Sequence, residues 1–245
     1  MVVYTQSTNT IEPIRRFYES HGLDISRLES MVSGARYSAI LLKNGNIGVC
    51  ANLGIHIDYT ELDLAQPKLD DLRYRILLNA YYNALLNYHH QYDETSDIFD
   101  KVDFSRYKKI GMIGLFRPLL KKFQEKEIPL TVFDRIKNDP ALSAISDQSK
   151  FFPMADALIV SSTTMFNQSF SRIMANVSTD CDVFLLGPSS IMDPYLFVWS
   201  NIKIIFGSVF EKFDRRVLDI IQKGGGTRQF QKLGKKVYLE NTSKK

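Results

Sequence analysis

The chain has 245 residues, 44% of them hydrophobic and 24% charged, with a formal net charge of +4 at pH 7. This composition supports a globular core, in one large domain or two smaller ones. Basic residues alternate with acids, as in RRFYES and EKFDRR, which argues against a nucleic-acid stripe, and no apolar run approaches the roughly eighteen residues of a membrane span.

The first ten residues, MVVYTQSTNT, lack a basic stretch followed by a long apolar one, so a cytoplasmic chain is expected. IEPIRRFYESHG predicts a short helix with Pro13 in its first turn. RYSAILLKNGNIGVCANL predicts a hairpin turning at Asn44-Gly45. The segment from Lys68 to Tyr92 predicts a long helix. Leu69, Leu72, Ile76 and Ala80 recur at helical spacing, and Asp70 and Asp71 suit the helix dipole in the first turn. Asn79 and Asn83 interrupt the apolar face of that helix one turn apart, as amides facing a polar ligand would.

From about Tyr107 short apolar strands alternate with amphipathic helices. The strands are KKIGMIG, PLTVFD, ADALIVS, CDVFLLG, IKIIFG and KKVYL; the helices are RPLLKKFQEKE, MFNQSFSRIMANV and RRVLDIIQK. That alternation predicts a doubly wound, mostly parallel α/β sheet. The polar segment Asp93 to Arg106 marks the division into a smaller α+β part, residues 1–105, and a Rossmann-like part, residues 106–245. A fragment starting near Arg106 is expected to fold alone.

Open α/β sheets bind ligands beyond the carboxyl ends of their strands. There the sequence places Gly111, Gly114, Phe116 and Arg117; then Asp134; then Ser161, Ser162, Thr163 and Thr164; then Gly187, Pro188, Ser189 and Ser190; then Gly207 and Ser208. GMIG is short of the full dinucleotide fingerprint, and its glycines also suit an ordinary tight turn. Asp134 lies where such folds keep a ribose-binding acid, and also suits a loop or cap. Thr164 is expected to cap a helix beginning at Met165, leaving Thr163 and Asn167 for a ligand.

Metal-binding patterns are sparse. Cys50 and Cys181 lie in apolar runs and predict buried free thiols. The histidines are His21, His56, His89 and His90, and only His56 and Asp58 share a face, too few for a metal site. No nucleophile–base pair is legible, so the sequence leaves catalysis undecided.

In order and spacing, GMIGLFRPLLKKF, VFD, ADALIVSSTTMFNQSF, FLLGPSSIMDPYLF, IIFGSVF and VLDIIQKGGGTRQFQKLGKKVYL resemble the Putative heavy-metal chelation family, formerly a domain of unknown function. The resemblance spans Tyr107 to Leu239. Leu78-Asn79-Ala80 and the hairpin before it resemble the family's usual first domain, similar to the N-terminal domain of enolase. The resemblance implies a site in the cleft between the two parts, formed by Asn79, Gly114, Asp134, Thr163, Thr164, Asn167, Gly187, Pro188 and Ser189. It also implies a small-molecule ligand or a heavy or transition metal. A nucleotide-like or S-adenosyl ligand, bound by an enzyme or a binding protein, is the alternative, and a non-catalytic scaffold a third. Nucleic acid and membrane are not expected as partners; a homodimer is compatible with the sequence.

Overall fold

The computed structural model describes residues 11–242, apart from 96 and 137; the N-terminal decapeptide discussed above lies outside them. Helix α1, Pro13–His21, starts as predicted, with the Glu12 side chain accepting from the backbone N–H groups of Ile14 and Arg15. Strands β1 (Leu28–Ser33), β2 (Tyr37–Leu42) and β3 (Ile47–Ala51) form an antiparallel sheet in that order. The β2–β3 hairpin is the predicted one, and Gly45 takes φ 90° in its turn. β1 was not expected: LESMVS has little apolar periodicity, and none of its residues is fully buried.

Helix α2, Leu72–Leu86, is shorter than its amphipathic pattern suggested and more deeply placed. Thirteen of its fifteen residues are buried, Arg75, Asn79 and Asn83 among them, so it is enclosed on all sides.

The rest of the chain alternates as predicted: β4 (Ile110–Ile113), α3 (Arg117–Glu125), β5 (Leu130–Phe133), α4 (Gln148–Phe151), β6 (Ala157–Ser161), α5 (Thr163–Phe166), α6 (Phe170–Asn176), β7 (Asp182–Leu186), β8 (Ile202–Phe210), α7 (Arg216–Gln222), α8 (Thr227–Phe230) and β9 (Gly234–Glu240). The six strands order as β5-β4-β6-β7-β8-β9, parallel except for β9. Counting from β4 this is 2-1-3-4-5-6, a doubly wound order whose reversal falls between β4 and β6.

Side chains alternate across each strand and feed two apolar layers. Met112, Val132, Ile159 and Phe184 meet Phe104, Leu119 and Phe123 on one face. On the other, Val160, Val183, Leu185 and Ile205 share one continuous core with α1, α2, α5 and α6. A third cluster joins Ala39, Leu41, Ile47 and Val49 of the small sheet to Val217, Leu218, Ile221 and Phe230 of α7 and α8. The small sheet is thus packed between α2 and helices from the far end of the chain. Its central strand is apolar on both faces, as YSAILL reads.

The predicted helix MFNQSFSRIMANV is broken. The Asn167 Oδ1 accepts from the Ser169 N–H (3.1 Å) and hydroxyl (2.5 Å), and Gln168 takes φ 64°, which separates α5 from α6. Asn-x-Ser closing a turn on itself competes with helix continuation.

Candidate functional site

Where strand order reverses, a crevice of about 600 Å³ opens beyond the carboxyl ends of β4 and β6. Gly114, Asp134, Ser161, Thr163, Thr164, Asn167 and Ser169 contribute to its polar lining, together with Arg135, Gln148 and Arg172. Leu53 and Leu72, from the first part of the chain, close one side. Another depression, about 530 Å³, runs along α3 outside the sheet crevice, and its Arg117 and Asp139 are paired with each other.

Each polar group is set by its neighbours. Gly114 ends β4 at φ 92°, where a Cβ would lie 2.8 Å from that of Ser161; only glycine permits both the turn and the close approach. The Asp134 carboxylate then fixes the next residue: Oδ2 accepts from Leu115 N–H (2.5 Å) and Oδ1 from Ile136 N–H (3.0 Å). Asp134 therefore builds the floor of the crevice. A carboxylate has about four acceptor positions, so it retains capacity for a ligand hydroxyl.

The hydroxyl run is divided among tasks. Ser161 Oγ and Thr163 Oγ1 lie 2.9 Å apart at the crevice wall. Ser162 is buried against Gly187, whose added Cβ would come within 2.6 Å of its Oγ. Thr164 does not cap a helix at Met165. Its hydroxyl donates to Ser161 C=O (2.8 Å), and α5 begins two residues earlier, at Thr163, with no side-chain cap. Backbone carbonyls meet N–H groups at its start instead: Ser162 N–H donates to Leu186 C=O (3.0 Å) and Met165 N–H to Ser162 C=O (3.1 Å).

Of the nine residues the resemblance singled out, Gly114, Asp134, Thr163, Thr164 and Asn167 meet at this crevice. Asn79, Gly187, Pro188 and Ser189 do not line it. Asn79 is fully buried and donates to Ser189 C=O (3.0 Å); Asn83 donates to Pro188 C=O (3.1 Å) and Ser190 C=O (2.8 Å). Ser189 Oγ accepts from Ala51 N–H (3.0 Å). These groups stitch α2 and β3 to the loop after β7. Sequence reasoning missed Arg75, whose buried guanidinium holds the carbonyls of Met165 and Phe166 directly behind Asn167; a lone arginine in an apolar helical stripe was the available signal.

A heavy-metal ion finds little here. Among the described residues, no group of three or more His, Cys, Asp or Glu side chains is gathered. Burial pushes the Cys50 thiol well above its ordinary range and Cys181 up to about 12, and neither cysteine lines the crevice. The crevice supplies hydroxyls, amides, one carboxylate and two guanidiniums instead.

Residues 97–240 match the model for the family described as Putative heavy-metal chelation (DUF364). A solved structure from Pyrococcus horikoshii, described as a protein of unknown function from that family, superposes with a TM-score of 0.78 at 17% identity, covering 94% of this chain and 99% of that one. A second, from Desulfitobacterium hafniense and likewise of unknown function, gives 0.73 at 17% identity, covering 93% and 98%. At such identity the likeness establishes the fold. No curated protein matches the chain. The long family match and the shared fold together place this chain in the DUF364 family, described as Putative heavy-metal chelation.

Proposed function

We propose that the chain binds a small polar organic molecule of nucleotide size in the crevice between β4 and β6. The observation that carries this reading is convergence: Gly114, Asp134, Thr163, Thr164 and Asn167 come from three separate strand ends to one opening at the strand-order reversal. Doubly wound sheets use that place for ligands, and about 600 Å³ is within the usual range for small-molecule sites. The remaining four residues of the resemblance serve the contact between the two parts. A heavy metal enters this reading only as part of the bound molecule, because the lining offers no ligand set of its own.

Mass spectrometry of material co-purifying with the chain, together with calorimetry against adenosine monophosphate and S-adenosylmethionine, tests the proposal. Stoichiometric transition metal in the purified protein, with no organic molecule and no nucleotide binding, would overturn it.

Two substitutions separate fold from ligand. Asn167→Asp keeps the oxygen that closes the 167–169 turn and removes the Nδ2 donor, which has no protein partner among the described residues. Its unfolding free energy is expected to stay within about 0.5 kcal/mol of the parent, with ligand binding lost. Asn167→Ala removes both groups and is expected to cost about 1 kcal/mol as well. Chemical denaturation and calorimetry of the pair decide this; an unstable Asn167→Asp would assign the amide wholly to the fold. Asp134→Asn leaves one acceptor oxygen for two N–H groups, so a loss of about 1–3 kcal/mol in ligand-free protein is expected by urea unfolding.

A further inference from the structure

The crevice carries an unbalanced charge and an apolar rim that the polar lining does not explain. Its lining contains Arg135 and Arg172, one acid (Asp134), and no lysine, glutamate or histidine. Asp134 is already engaged with the backbone at both oxygens. Elsewhere in the molecule Arg73, Arg117, Arg215 and Arg216 each meet a carboxylate, while Arg15, Arg36 and Arg228 form no ion pair among the described residues. Arg135 and Arg172 form no ion pair among the described residues, and neither guanidinium has a hydrogen-bond partner there. They stand on different segments, one beside β5 and one on α6, yet border the same opening.

The rim is the second observation. Three of the large hydrophobic side chains that remain exposed in this protein, Leu53 (46%), Ile136 (52%) and Ile145 (42%), line this one crevice. Scattered exposed apolar residues are ordinary, but convergence from separate loops onto a concave site marks a binding surface. Leu53 takes a left-handed φ of 54°. A leucine rarely adopts that conformation, and holding it there costs free energy that an asparagine or glycine would avoid.

From these two observations we infer that the crevice selects an organic anion: a molecule with a phosphate or carboxylate group for Arg135 and Arg172, and an apolar ring or chain between Leu53, Ile136 and Ile145. This rests on the proposed binding function and narrows it to ligands that carry an anionic group beside an apolar one. Guanidinium forks match carboxylate and phosphate oxygens in pairs. The aliphatic rim removes the organic part from water, and Arg135 and Arg172, both exposed, supply a charge contact that salt screens.

The test uses the full chain and two matched fluorescent probes, anionic 8-anilinonaphthalene-1-sulfonate and neutral N-phenyl-1-naphthylamine. The anionic probe is expected to bind at least tenfold more tightly, with the preference shrinking as salt rises. Arg135→Gln/Arg172→Gln should abolish the preference, while the double lysine variant retains part of it. Ile145→Gln should weaken both probes together. Equal binding of the two probes, no binding of the anionic one, or an unchanged preference in the glutamine variant would each overturn the inference. Displacement by adenosine monophosphate is measured in parallel. An Arg-dependent preference without displacement supports the anion inference and removes the nucleotide reading. Displacement that is equal in parent and glutamine variant supports the nucleotide reading and overturns the anion inference.

Discussion

Replacing Arg75 by alanine is expected to cost about 3–5 kcal/mol of stability, the scale for breaking a buried ion pair from one side. The Arg75 side chain is 3% exposed and pairs with Glu12, which is 21% exposed. Its Nε donates to Phe166 C=O (2.5 Å), Nη2 to Met165 C=O (3.2 Å) and Nη1 to Leu69 C=O (3.2 Å). Alanine would strand three carbonyls and a carboxylate at once. A single domain has about 5–15 kcal/mol in all, so the loss takes a large share. Glu12→Gln should be milder, about 1–2 kcal/mol, because that side chain reaches water and its amide still accepts from the α1 backbone. Urea unfolding of both variants measures the difference. A loss in Arg75→Ala no larger than in Glu12→Gln would mean that water satisfies the stranded carbonyls.

A fragment from Arg106 to the C-terminus is expected not to fold cooperatively. The alternation of strands and helices after Tyr107 suggested autonomy, and the sheet itself is complete. Its covering is not. One sheet face shares its core with α1 and α2 as well as with α5 and α6, so Leu158, Val160, Val183, Leu185 and Ile205 would lose part of their apolar surroundings in the fragment. Val217, Leu218, Ile221 and Phe230 would lose Ala39, Leu41, Ile47 and Val49. The stretch at the division is itself woven in: Glu94 bridges to Val237, and Thr95 N–H donates to Lys236 C=O. Circular dichroism with thermal melting, and size-exclusion chromatography, should reveal a collapsed, aggregating species with helical signal and no sharp transition. A single sharp transition would establish that the six-stranded sheet stands without its partner.

The sequence was informative wherever one local pattern dominated. Apolar runs such as ALIV and DVFLL read as buried strands; the hydroxyl run after the first edges the crevice, while the Gly187–Ser190 loop after the second meets α2 instead. Local competition was harder to weigh. Asn167-Gln168-Ser169 carries the signal for a self-closing turn, yet the apolar stripe of Phe166, Phe170 and Ile173 made an unbroken helix the simpler pattern. Partners distant in sequence were beyond reach. Asn79 and Ser189 are 110 positions apart, and an amide on an apolar face looks the same whether a ligand or a loop carbonyl waits opposite.

Arg75, Asn79, Asn83 and Asn87 follow one another every four residues, so one side of α2 presents a repeating polar row. Three members of the row donate to the loop after β7: Asn79 to Ser189, Asn83 to Pro188 and Ser190, Asn87 to Ser190. A row of identical amides has a weakness. Shifting the helix by four residues, about 6 Å, would bring each asparagine to its neighbour's place and nearly restore the bonds. Arg75 removes that ambiguity. A slipped helix would push its guanidinium into the Asn79 position, away from Glu12, and bury a charge without its counter-ion. The asparagines bind the two parts of the molecule together, and the single arginine at the end of the row sets the zero of the scale, so that the loop carrying Asn167 is assembled at one height only.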